Sequence, residues 1–577
     1  MTKRKREAIA IFVAGLGLGT LAFSGPPAEG RRPASEEPAP NRQAPFQWLS
    51  DEAGRIFSVA APFHSAPVPV LAGDAQTRGH HYFLYENFGT INTDNLRTTV
   101  APYKALVAAL FYAQAGPDRL EAKKENIPKL FARWGFLDPD SFANSKAEIP
   151  RTFQNTPVGL VEGTLKRALP PIELQAVNIN CASCHVGVTY EASGRPNPKV
   201  GWIGAPNPSM DLEAYAMATY VAFQKIIPLG ADGLIRKIRE VFPEMSLTER
   251  LTYRTLVYPS LKKTFERLDK TIRRPVPYLN GHAGLTNSIG ALRERMSLIP
   301  WDKIDTEDVG FASVPDLADR GFRTTLLWDG AYSKPGEKVS RTTTEANRGQ
   351  FSDHKFATAF FTVTAMGVNR NKVPTVWGRV DDVLKSLNDY RPQRFPGVVR
   401  SDLAKAGRAV YQRNCVSCHG TYSDEEFPRL VSFPNRKLSL DSIGTDPKRS
   451  EGVNNVELVN EIRKSYGEHL DLHTEGGYAA PILTGVWQSA PYLHNGSVPT
   501  LYDLMHPATR PAEFRSGGHA LDFEKVGVSY PEGYVPYSEP ALFRASDPGH
   551  GNGGHEFPFS RLDENAKAAL LEYLKTL

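Results

Sequence analysis

The chain has 577 residues, of which 41% are hydrophobic and 23% charged, with a net charge of +5. That length supplies more than one hydrophobic core. The small, scattered charge excludes a nucleic-acid-binding surface, which would need a dense basic stripe.

The N-terminus reads "MTKRKRE", followed by an apolar run from Ala8 to Phe23 and a small-x-small pattern at Ala22-Phe23-Ser24. This predicts a secretory signal peptide over residues 1–24, cleaved after Ser24. The run is short for a membrane span, so the membrane is met only through the signal, and the expected location is periplasmic or secreted. Residues 25–75 read as a tether and N-terminal extension, rich at first in Pro, Ala and charge.

A block over residues 76–395 follows. Its centre is "NINCASCHVG", with Cys181, Cys184 and His185. Before it, Pro170 and Pro171 break any long helix. After it, "SGRPNPKVGWIGAPNP" reads as loop. "SMDLEAYAMATYVAFQKIIP" then predicts a helix with Leu212, Tyr215, Ala216, Phe223, Ile226 and Ile227 on one core-packing face, stopped by Pro228. The stretch from Trp301 to Trp328 is aromatic-rich. Trp301 and Phe311 are candidates to line a substrate pocket, against ordinary core packing as the plainer alternative.

"NDYRPQRFPGVV" at residues 388–399 marks a boundary, and residues 396–577 form a second unit. "SDLAKAGRAVYQRNC" predicts a helix with Ser401 as N-cap, running straight into "CVSCHG" with Cys415, Cys418 and His419. The last helix starts at Asp563 as N-cap and carries an apolar stripe of Ala566, Leu570, Tyr573, Leu574 and Leu577. A class I cytochrome c fold would cross these two helices, with Gly407 set against Tyr573. No internal repeat shows beyond the two cysteine motifs. The expected fold is mainly α: two cytochrome c-like haem domains with long loops and a few short strands.

All four cysteines lie in Cys-x-x-Cys-His motifs. Two thiols three residues apart share one side of a turn and reach the two vinyl groups of a porphyrin. The following imidazole then reaches the iron. A zinc site, a thioredoxin-like pair or two disulfides would not require a histidine after each pair. Two covalently bound haem c groups are therefore expected, with His185 and His419 as axial ligands.

The segments "CVSCHG", "PILTGVWQSAPYLHNGSVPTLYDLM", "RPAEFRSGGHALDFEKVG" and "SDPGHGNGGHEFP" resemble the di-haem cytochrome c peroxidase superfamily. Within it, "RPAEF…GGH", "GHGNGGHEF" and "LLWDGAYS" look closest to the branch of rubber oxygenases and di-haem fatty-acid dioxygenases and diol synthases. The resemblance covers most of residues 150–577. It implies a reactive first haem on His185, open on its other face, and a six-coordinate electron-relaying second haem on His419. It also implies His555 as the sixth ligand of the second haem, with Met505 and His506 as alternatives. Methionine would raise the potential relative to histidine. His494 is expected to hold a loop by hydrogen bonds. "GHAGLTNSIGAL" and "VPDLADRG" depart from the family pattern between the haems and leave the substrate open.

A plain electron carrier needs only a small domain per haem. Here 180 residues precede the first motif and 229 separate His185 from Cys415, a surplus that points to a substrate pocket. The leading expectation is a haem-dependent oxidoreductase acting as a dioxygenase, or on hydroperoxides, with an apolar unsaturated substrate such as a fatty acid or polyisoprene and O2 or peroxide. The alternatives are a hydrogen-peroxide-reducing peroxidase served by a small redox protein donor, and an electron-transfer cytochrome. A calcium ion is a further candidate cofactor.

Overall fold

The computed structural model describes residues 64–65, 73–85, 101–145, 156–167, 172–271, 281–295, 309–365 and 373–577. The signal peptide, nearly all of the tether and Trp301 lie outside the described residues. Of the described residues, 42% are helical and 16% lie in strands. The fold is therefore mixed, with many small sheets, where the sequence suggested mainly helix. Among the described residues no helix is long and apolar enough to cross a membrane.

Helix α1 spans Ala75–Tyr85 and α2 spans Tyr103–Ala113. Every residue of α2 from Tyr103 to Phe111 is buried, as expected of a helix apolar all round. Strands β1 (Leu160–Arg167) and β2 (Ile172–Ile179) pair antiparallel, in register from Leu160–Ile179 to Arg167–Ile172, and Pro170 and Pro171 between them lie outside the described residues. A hairpin, β3 (Val186–Tyr190) and β4 (Pro196–Ile203), follows His185 directly. The sequence reading took this stretch for loop. The alternation in "VGVTY" is short, and pairing with β4 is what makes it a strand.

Helix α3 spans Leu212–Ile226, and its N-cap Asp211 accepts from the Ala214 amide. Tyr215, Phe223 and Ile226 of its predicted face are buried. They join Phe131, Phe136 and the apolar residues of α2 and α4 (Gly230–Val241) in a core around the N-terminal half.

Two helix crossings frame the rest. Helix α5 (Val373–Ser386) packs across α1, and α6 (Ser401–Asn414) packs across α7 (Glu564–Leu574). Each crossing closes over a glycine. A Cβ on Gly79 would lie 2.3 Å from the Asp382 carbonyl oxygen, and one on Gly407 would lie 1.8 Å from that of Ala569. Gly407 thus meets Ala569 backbone, not Tyr573 as the spacing suggested. Tyr573 instead packs on Tyr411, with ring centroids 5.2 Å apart. Asp563 caps α7 as predicted, accepting from the Ala566 amide at 2.8 Å. Ser401 is the first residue of α6 rather than its cap. The preceding amide, of Arg400, donates to Glu572 of α7 at 2.9 Å, so tertiary contact replaces a local cap.

Candidate functional site

The first cysteine motif follows a strand and the second follows a helix, yet both end in the same turn. Ala182–His185 and Val416–His419 are single helical turns in which the His185 amide bonds the Cys181 carbonyl and the His419 amide that of Cys415, each at 2.9 Å. The preceding asparagines tie each turn to the first helix of its crossing. Asn414 donates to the Val410 carbonyl of α6 at 2.8 Å. Asn180, which has no helix before it, donates across to the Phe83 carbonyl of α1 at 2.9 Å. All four thiols are free of disulfides.

His419 Nδ1 lies 2.8 Å from the Pro481 carbonyl. A carbonyl only accepts, so Nδ1 carries the proton and the Nε2 lone pair is available to a metal. The Pro315 carbonyl is also near His185, but His185 Nδ1 makes no hydrogen bond to it. Burial pushes the His185 pKa down to about 4, helped by the nearby Arg320 guanidinium and opposed by that carbonyl.

These two prolines open a repeat of backbone conformation. Asp319 and Gly485 have φ of 56° and 77° and precede the 3-10 turns Arg320–Phe322 and Val486–Gln488. Leu327 and Leu493 have φ of 66° and 68°, and Gly330 and Gly496 have 59° and 62°. Isolated bridges Leu326–Tyr332 and Tyr492–Val498 close each copy. Over this stretch the copies share only Pro315/Pro481, Leu317/Leu483, Leu327/Leu493 and Gly330/Gly496. That thinness hid the repeat from the sequence reading. The copies meet at Ser313: its amide donates to the His494 carbonyl at 2.7 Å, and its carbonyl accepts from Trp328 Nε1 at 2.9 Å.

One cavity of about 490 Å³ is lined by Cys181 and His185 and by Cys415, Cys418 and His419. Most of its remaining wall is apolar, with Trp328, Arg320 and Arg449 among the polar exceptions. Opposite His419 stands His555, with ring centroids 6.0 Å apart. Metal–imidazole bonds of about 2 Å on each side would put two ring centroids roughly 6 Å apart, so the pair fits one six-coordinate iron. His555 has φ of 50°, and its amide donates to the Ile443 carbonyl at 2.7 Å. Burial and the adjacent His419 push its pKa down to about 3, leaving a neutral imidazole.

Met505 is buried and also lines the cavity. Both ring nitrogens of His506 are engaged elsewhere, Nδ1 with the Tyr502 carbonyl at 2.7 Å and Nε2 with Glu564 at 2.8 Å. The His494 carbonyl accepts from the Ser313 amide, while its ring lines the cavity and stacks on Tyr478 at 4.1 Å. Phe311 is buried in a small separate cluster with Leu285, Val309 and Phe543, stacks on His550 at 4.4 Å and is not part of the cavity wall.

Several polar residues around the cavity carried no sequence signal beyond charge in an apolar setting. Asp316 accepts from the Ala318 amide, Gln488 and Tyr390, and burial still pushes its carboxyl up to about 6. Arg320 donates to the Asp316 carbonyl. Arg449 and Asp329 pair at 2.8 Å with side chains 2% and 3% exposed, and Arg449 also donates to Ser288 at 2.7 Å and to the Gly310 carbonyl at 3.2 Å.

Residues 477–515 match the family model described as "RoxA-like, cytochrome c-like". That stretch contains Pro481, the second copy of the backbone repeat and Met505. The chain is 31% identical over 239 residues to the uncharacterized protein y4iM of Sinorhizobium fredii, and 30% identical over 265 residues to y4iJ of the same organism. These alignments cover 34% and 35% of this chain, and 53% and 44% of the relatives. The chain thus spans about half the length of these curated relatives. The segment whose Pro481 carbonyl accepts the hydrogen bond from His419 is thus similar to a RoxA-like, cytochrome c-like domain.

Proposed function

We propose that the protein is an exported two-haem c oxidoreductase, with one haem on Cys181, Cys184 and His185 and the other on Cys415, Cys418 and His419. The observation that carries this reading is the single apolar cavity shared by both motifs, with His555 placed to complete the second site. The paired crossings, the two proline carbonyls and the backbone repeat support two related haem-bearing units. When bound, haem supplies one-electron and oxygen chemistry.

The chain's own residues then divide the work. His419 and His555 would together hold the second iron, which suits electron relay, and His185 would hold the first. The apolar wall would exclude water from the porphyrins, and oxygenation of an unsaturated lipid or isoprenoid, rather than reduction of a small polar peroxide, is the reaction that the resemblance to the rubber-oxygenase branch implies. Trp328 and Ser313 join the two repeat copies between the sites and fix their relative position.

The test is incubation with oleic acid and with polyisoprene under O2 without added peroxide, followed by product mass. Conversion of either, with oxygen incorporated, is expected. No conversion alongside fast peroxide-driven dye oxidation would sink the oxygenase reading in favour of a peroxidase.

A further inference from the structure

The cluster around Phe311 is separate from the haem cavity, and it gathers unused metal-ligand chemistry. His282, Asp547 and His550 each offer one donor atom, and these atoms all lie within 4.8 Å of one another. His550 is 2% exposed, and neither of its ring nitrogens has a hydrogen-bond partner. His282 Nε2 is likewise buried without one. Buried polar atoms in folded proteins are nearly always satisfied, so an orphan nitrogen from each imidazole, gathered with a carboxylate oxygen, calls for a missing partner.

We propose that His282, Asp547 and His550 form a binding site for a divalent transition-metal ion of the zinc class. The scaffold is rigid on both sides. His282 sits in a tight turn closed by two hydrogen bonds with Leu285, at 3.0 and 2.8 Å. Glu213 secures that turn further along by accepting from the Asn287 amide at 2.9 Å. Asp547 and His550 face one another across a second turn, closed by the His550 amide on the Asp547 carbonyl at 3.0 Å. Within it Gly549 has φ of 79°, and a Cβ there would lie 2.7 Å from Val309 and 2.8 Å from Phe311, so the turn must press onto that wall.

The His550 ring is wedged between Phe311 at 4.4 Å and the edge of Phe543 at 4.7 Å, with His282 at 5.0 Å. These rings fix its direction without satisfying its nitrogens. An ion with bonds of about 2 Å would draw the three donors to roughly 3–3.5 Å apart, a small inward rotation. Two neutral imidazoles and a carboxylate suit zinc and its neighbours, and leave a fourth position for water. They do not suit calcium, which takes an all-oxygen shell. The site would staple the turn bearing His282 to the loop that runs on from His550 to His555. Asn495 already braces that loop by donating to the Gly549 and Gly551 carbonyls at 3.1 and 3.0 Å. The metal site does not depend on the proposed reaction.

The experiment is metal analysis of untagged, haem-loaded protein, followed by chelation and titration with Zn2+ by calorimetry. One zinc-class ion per chain beyond haem iron is expected, or one Zn2+ taken up after chelation. His282→Gln and His550→Gln should each weaken Zn2+ binding at least 100-fold while the haem-to-chain ratio stays unchanged. Should His550→Gln fail to fold, His282→Gln decides, since that residue is only half-buried. Folded wild-type protein that takes up no Zn2+, or variants that bind it as the wild type does, would overturn the site.

Discussion

His555 reaches the cavity through backbone geometry. Its own φ of 50° and that of Gly554, 82°, bend the loop over Ile443 and Gly444, and the Ile443 carbonyl holds it there. His555→Ala is therefore expected to turn the second haem from low-spin to high-spin in the resting optical and EPR spectra. Met505→Leu, a volume-conserving change, should leave the spectra alone; the reverse outcome would make Met505 the ligand. At the same scale Glu213 titrates unusually. Burial, with the nearby Asp211 carboxylate, pushes its pKa up to about 8, while hydrogen bonds from backbone amides oppose the shift. A raised carboxyl favours the folded state fully below its unfolded pKa of about 4.3 and loses that stabilisation as pH rises through about 8. Urea melts at pH 5 and pH 8.5 should differ more for the wild type than for Glu213→Gln. Equal differences would show that Glu213 is not the group responsible.

At the scale of elements, the two crossings make the same demand on glycine. Gly407→Ala drives a Cβ into the Ala569 carbonyl, and Gly79→Ala into that of Asp382. Alanine's better helix propensity returns at most about 1 kcal/mol, so each variant should lose roughly 1–3 kcal/mol by chemical denaturation. Gly407→Ala should in addition lower the yield of haem on Cys415 and Cys418. Unchanged stability would mean the helices can slide apart without loss. The α6–α7 crossing was legible because both helices announce themselves by apolar spacing and one runs into its cysteine motif. Its counterpart was not. Helix α1 is followed by about a hundred residues before Cys181, and the hydrogen bond from Asn180 to Phe83, with Phe83 and Cys181 on one cavity wall, reveals that the two belong together.

Across the whole molecule, Arg449 ties Ser288, Gly310 and Asp329 to the C-terminal half, next to the cavity. Arg449→Met leaves Asp329 buried without its cation, and such losses run to about 3–5 kcal/mol. The double variant Arg449→Met/Asp329→Asn should recover much of that in denaturant melts. Additive losses would show that the pair is not coupled. The extended strap at residues 388–399 also works at this scale. It is packed rather than loose: Tyr390 donates to Asp316 at 3.0 Å, and Phe395 packs against Trp487 and Phe523. Proline punctuation marked a boundary there and said nothing of these contacts.

The sequence by itself determined the two one-turn motifs, because Cys-x-x-Cys-His places two thiols and an imidazole together whatever surrounds it. It likewise determined α3 and the last helix, whose caps and apolar faces are local. Only tertiary structure decided what faces each imidazole: the Pro481 carbonyl behind His419 and His555 before it come from separate loops held in left-handed or extended backbone. The same holds for the backbone repeat, which shows in dihedral angles and bridges although nearly all its side chains differ, and for the His282–Asp547–His550 cluster. Contacts between distant segments are set by how the chain packs, and residue spacing carries no record of them.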